Sequence, residues 1–126
     1  MIVVDGMNVV GSRPDGWWRD RRGAITSLVE RLEALAESEG EPVAVIFDGR
    51  AFELARREQT VEVRFASRRG RDAADDDIAA LVKRAERPAE IQVVTSDADL
   101  SRRVRALGAT VVDAGDFRRR LDARAG

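Results

Sequence analysis

Met1-Ile2-Val3-Val4 runs without a polar residue into Asp5-Gly6, and the chain returns to this pattern twice more. An unbroken apolar run rich in β-branched residues is the signature of a strand buried on both faces, as in a parallel sheet covered by helices on each side. Val43-Ala44-Val45-Ile46-Phe47 stops at Asp48-Gly49, and Ile91-Gln92-Val93-Val94-Thr95-Ser96 stops at Asp97-Ala98-Asp99. Between them Asp72-Ala73-Ala74-Asp75-Asp76-Asp77 opens a predicted helix. In open parallel α/β sheets ligands collect just beyond the carboxyl ends of the strands. If these strands lie side by side, the acids meet in one cleft.

The segments between the strands fit that architecture. Ile25, Leu28, Val29, Leu32, Leu35 and Ala36 fall at helical spacing and predict an amphipathic helix over 21–39, closed by Gly40. Ala51 to Glu58 reads as a short helix or irregular segment with Phe52 and Leu54 turned inward, and Thr60 to Phe65 alternates as a strand near a sheet edge. A helix from about Asp72 buries Ile78, Leu81, Val82 and Ala85 and stops before Pro88. A further helix over 97–107, a short strand over 109–112 and a terminal helix over 116–123 complete the reading. Alternating strands and helices in 126 residues predict one domain, residues 1–126: an α/β, three-layer α/β/α sandwich with a mostly parallel sheet of about five strands.

Composition narrows the chemistry. There is no cysteine and no histidine, which removes disulfides, thiolate metal sites and imidazole acid-base catalysis. Metal chemistry would rest on oxygen ligands, which suit Mg²⁺ or Mn²⁺. No apolar stretch is long enough for a bilayer and the chain opens directly on a strand, so neither membrane span nor signal peptide is expected; a cytoplasmic protein is. A net charge of −1 conceals 36% charged residues whose cations, Lys83 excepted, are arginine, a side chain suited to phosphates and bases.

Each acid has an ordinary explanation. Asp-Gly after a strand is common turn chemistry, Ser96 or Asp97 could cap the helix that follows, and Asp72 could cap the next one with Asp75 at its third position. Taken together, carboxylates sent to one sheet edge repel one another, an arrangement a hard divalent cation would compensate. Such an ion makes a water more acidic and can support in-line attack on a phosphodiester.

The ordered motifs Asp5-Gly6-Met7-Asn8-Val9-Val10-Gly11, Val45-Ile46-Phe47-Asp48, Ala73-Ala74-Asp75-Asp76-Asp77-Ile78 and Val93-Val94-Thr95-Ser96-Asp97 resemble those of the NYN branch of PIN-like nucleases, and within it the YacP-like (Rae1-type) ribonuclease family. The resemblance implies a PIN-like fold and a metal-dependent endoribonuclease that hydrolyses RNA with a water activated by Mg²⁺ or Mn²⁺. It places the catalytic set on Asp5, Asp75, Asp97 and Asn8, the metal ligands on Asp5, Asp75 and Asp97 with Asp76 and Asp99 assisting, and Asp48 just behind them.

The expected partner is RNA, single-stranded, with the ribosome as a further candidate; no surface stripe predicts a dimer. Residues 9–19 read as a loop after the first strand, broken by Gly11, Pro14 and Gly16; Arg13, with Arg68, Arg69 and Arg71, is a candidate phosphate contact, and Trp17 or Trp18 the candidate base-stacking surface, although an indole in that loop also fits a small satellite core. The arginine-rich segment after Phe117 is assigned no role. Two rivals carry other expectations. A non-catalytic RNA- or ribosome-binding module would use the arginine loops alone, and a Toprim-type site would want a glutamate where Asp5 stands.

Overall fold

A computed structural model describes residues 1–56, 60–68, 70 and 72–125. Its centre is a five-stranded, all-parallel sheet built from β1 (Ile2–Asp5), β2 (Val43–Phe47), β3 (Glu62–Phe65), β4 (Gln92–Val94) and β5 (Thr110–Val112), in the order β3-β2-β1-β4-β5. The helices are α1 (Gly6–Gly11), α2 (Arg21–Glu39), α3 (Ala73–Arg84), α4 (Ala98–Ala106) and α5 (Ala114–Ala125). Among the described residues no helix is long and apolar enough to cross a membrane.

Side chains alternate across the strands and so build two cores. Ile2, Val4, Val43, Val45, Phe47 and Val94 face α1, α2 and α5, whereas Val3, Ile46 and Val93 face α3 and α4. β1 and β2 are buried along their whole length, which is why their sequences show no polar alternation; β3, at the edge, alternates exposed and half-buried positions. Because β2 and β3 are added on one side of β1 and β4 and β5 on the other, the strand order reverses between β1 and β4. The crevice of an open α/β sheet lies at that reversal. The crossover that makes it carries α3 over β1 and β2 and delivers its first turn to the carboxyl edge.

The expected loop after β1 is in fact a helix. Asp5-Gly6 reads as a turn, but α1 starts at Gly6, and a Cβ there would come within 2.3 Å of Phe47 Cδ1. Glycine serves close approach of the helix to β2, with Val9 and Val10 buried beneath it. Phe52 and Leu54 pack inward from an irregular segment, as the pattern suggested; Glu58 lies outside the described residues. The terminal helix begins earlier than its sequence suggested, because the Asp113 carboxylate accepts the Asp116 N–H and Ser96 Oγ accepts that of Ala114. That arginine-rich helix is structural on its inner side: Phe117 and Leu121 are core residues.

Candidate metal and nucleic-acid site

Five aspartates meet at the carboxyl edge. Asp5 is the last residue of β1 and is buried, 4% exposed. Its Oδ2 accepts the Thr95 hydroxyl at 2.9 Å, and Thr95 Oγ1 in turn accepts the Asp97 N–H at 3.1 Å. One threonine thus fixes the spacing of the ends of β1 and β4. Asn8, from the first turn of α1, accepts the Ser96 N–H on its amide oxygen at 2.7 Å and tethers the same loop. Asp97 caps α4, accepting the Leu100 N–H at 2.8 Å, and keeps a second oxygen for other work.

Asp48 closes the cluster from β2. Its Oδ1 accepts the Ala74 N–H at 2.9 Å, so the carboxylate capping α3 comes from the residue that follows β2. Asp72, at the position where a local cap was expected, makes no such bond. It is instead the one described non-glycine residue with positive φ, at 63°, a left-handed conformation that aspartate tolerates at modest cost. There its exposed carboxylate comes within 4.8 Å of one oxygen each from Asp75 and Asp97.

Asp75 sits in the middle of this set. It is 6% exposed, and none of the hydrogen bonds or ion pairs among the described residues involves its carboxylate. Burial first, then the charges of Asp5, Asp97, Asp72 and Asp48, push its pKa up to about 7. Burial likewise outweighs the Thr95 hydrogen bond at Asp5 and, with help from Asp48 and Asp97, raises it to about 6. Two carboxyls that resist ionisation beside three others, all oxygen donors, form a donor set suited to a hard divalent cation.

A family model described as the YacP-like NYN domain matches residues 2–125. The chain is a YacP-like NYN domain. That family is one of nucleases. No curated protein matches the chain. Two solved structures share the NYN/PIN-like fold. A W164L mutant of Rae1 (YacP) from Bacillus subtilis has a TM-score of 0.79 at 24% identity, covering 97% of this chain and 74% of that one. Rae1 (YacP) from the same organism has a TM-score of 0.78 at 23% identity, covering 98% and 74%.

The remaining sequence candidates are dispersed around this NYN core. Asp76, one residue from Asp75, turns outward. Hydrogen bonds from Arg68 and Arg103 hold it below the ordinary carboxylate range. Asp99 is exposed and paired with Arg102. Arg13 is drawn to Asp122 on α5, because α1 carries the chain from the carboxyl edge onto the α2/α5 face. Trp17 packs against the core there, while Trp18 is 64% exposed. Arg69 and Arg71 lie outside the described residues. Asp72 as a candidate ligand and Thr95 as the brace were missed. The signal for Asp72 was its residue type, since aspartate tolerates the left-handed conformation in a glycine-containing loop.

Asp72→Gly separates these roles. Glycine adopts the left-handed backbone freely, so thermal unfolding should show a variant as stable as wild type or up to about 1 kcal/mol more stable. Titration with Mn²⁺ should show weaker binding; unchanged binding would remove Asp72 from the donor set.

Proposed function

We propose that this NYN domain is a metal-dependent endoribonuclease acting on single-stranded RNA. The observation that carries the reading is Asp75: a largely buried carboxyl, without a hydrogen-bonding partner among the described residues and surrounded by four other aspartates. Asp72, Asp75 and Asp97 would each offer one oxygen to a cation, with Asp5 behind them. Mg²⁺ or Mn²⁺ bound there supplies Lewis acidity at the phosphate and a more acidic attacking water.

The protein's own groups position the rest. Thr95 donates to Asp5 Oδ2, and the Asn8 backbone N–H also bonds to that carboxylate, so Asp5 is held in place at the back of the cluster. Asp48 locks the start of α3 so that Asp75 cannot swing out with a fraying helix end. Asn8 and Thr95 hold the loop carrying Asp97, and the preorganisation of these acids precedes any substrate. Beside Asp48, beyond β2 and β3, lies an open groove of about 720 Å³ bordered by Arg50, Phe65, Ser67 and Arg68. Its size and its cations suit a single strand, with phosphates on the arginines and a base near the half-buried ring of Phe65. Asp77 secures the groove's rim by accepting both the N–H and the hydroxyl of Ser67.

Incubation of purified protein with a 5′-labelled single-stranded RNA should yield internal cuts in Mg²⁺ or Mn²⁺ and none in EDTA. Equal cleavage in EDTA overturns the reading. The binding-module rival expects salt-sensitive association without turnover under either condition.

A further inference from the structure

The groove and the acid edge leave unexplained a half-open pocket of about 160 Å³ on the α1/α2/α5 face. The apolar part of its lining comes from Val9 and Val10 of α1, Leu28 of α2, Leu121 of α5, and the indole of Trp17. Three arginines stand at its rim, Arg13, Arg31 and Arg118, and all converge on Asp122. Their side chains are only 33%, 33% and 20% exposed. Asp15, 3.5 Å from Arg13 Nε, is the second acid at the rim, so three fixed cations face two anions. The donor balance is more uneven. Each guanidinium has five N–H donors, whereas one carboxylate offers about four lone-pair sites. Two of the other acceptors are accounted for, since Arg118 Nε also reaches Ser12 Oγ at 3.2 Å and Asp15 is shared only with Arg13.

Clustered, half-shielded guanidiniums with spare donors call for an added anion, for the same reason that the buried aspartates call for a cation. Guanidinium forks match phosphate oxygens in particular. The cavity behind them is close to the size, about 150 Å³, known to hold one benzene-sized ring. We propose that this cavity is a nucleotide subsite, with the phosphate on Arg13, Arg31 and Arg118 and a single-ring base stacked against Trp17. Ser27 and Asp15 are the polar lining groups available to the base edge. Occupancy exchanges part of the Asp122 pairing for phosphate, which is why Asp122 is the residue that should restrain affinity.

The site can be tested without the metal centre and so independently of the nuclease reading. Full-length protein in EDTA, carrying Trp18→Phe so that Trp17 is the one remaining indole, is titrated with uridine 5′-monophosphate, uridine and inorganic phosphate. Binding is followed by the Trp17 indole N–H resonance and by calorimetry. The nucleotide should bind saturably and more tightly than either fragment. Arg31→Gln should weaken it about tenfold or more, as expected for loss of a charge-assisted fork. Asp122→Asn should tighten it several-fold, and circular dichroism establishes that each variant folds. A single-stranded oligouridine arm identifies the source. Weakened oligomer binding by Arg31→Gln marks a subsite for the RNA strand, and an effect on the mononucleotide alone marks a free-nucleotide site. Absence of saturable binding in both the parent and the folded Asp122→Asn protein overturns the proposal, as does phosphate alone binding as well as the nucleotide.

Discussion

Asp75→Asn should make the metal-free protein more resistant to heat at about pH 8 while removing its cleavage activity, an opposition expected of a strained functional carboxylate. The wild-type carboxyl is buried, lacks a hydrogen-bonding partner among the described residues, and is pushed up to about 7 by burial and by Asp5, Asp97, Asp72 and Asp48. Above that pH it ionises against the charge of its neighbours. An amide of the same shape abolishes the repulsion. Since a pKa unit corresponds to about 1.4 kcal/mol, and part of the repulsion is shared with Asp5, a gain of roughly 1–3 kcal/mol is expected. In a domain of this size that is on the order of 5–10 °C in Tm. At about pH 5, where the wild-type carboxyl is already protonated, the difference should shrink toward zero. Activity should fall by at least about 100-fold, because even residues that merely support metal ligands are worth 10- to 100-fold. Scanning calorimetry at both pH values, with RNA cleavage in Mg²⁺, checks both halves. A variant that is destabilised at the higher pH, or that retains activity, would return Asp75 to the status of an ordinary helix-start aspartate.

The convergence of these acids was legible because it follows from topology rather than from side-chain detail. Three buried strands ending in aspartate, joined by helices, can only be parallel, and parallel strands end at the same edge. The limits of α2 and β2 were legible for a similar reason: an uninterrupted periodicity between clear stop signals, Gly40 and Asp48-Gly49. What escaped was decided by non-local contacts. Asp5-Gly6 has the composition of a turn, but Phe47, brought alongside by sheet pairing, makes the glycine a point of helix–strand contact. Asp75 and Asp76 are neighbours in sequence, yet a helix turns about 100° per residue, so one faces the cluster while the other meets Arg68 and Arg103. Arg13 lies a few residues from Asn8 and looked like part of the same cleft. Its partner, Asp122, is 109 residues away on a helix whose docking no local pattern reveals.

Addition of Mg²⁺ should raise Tm strongly at about pH 8 and hardly at all at about pH 5, and the metal-free protein should lose stability as pH climbs between those values. Asp5 and Asp75 are raised in the folded protein to about 6 and about 7 from an ordinary 3.8. Between about pH 4 and 7 the native state therefore holds protons that the unfolded chain has released. Their contribution is fully present below about pH 4 and disappears as pH rises through the two folded values. Asp76, Asp113 and Asp122 are lowered, so they act in the opposite sense: their contribution is present above the ordinary carboxylate value and is lost only as pH falls through their lower folded values. The interval from about pH 4 to 7 thus belongs to the two buried acids, with an expected decline on the order of 3 kcal/mol in the absence of metal. A divalent cation competes with those protons for the same oxygens, so its stabilisation must grow as the protons leave. Thermal unfolding in EDTA and in millimolar Mg²⁺ across this range measures both slopes. Parallel curves, with the same Mg²⁺ increment at every pH, would mean that the ion binds somewhere other than these carboxylates.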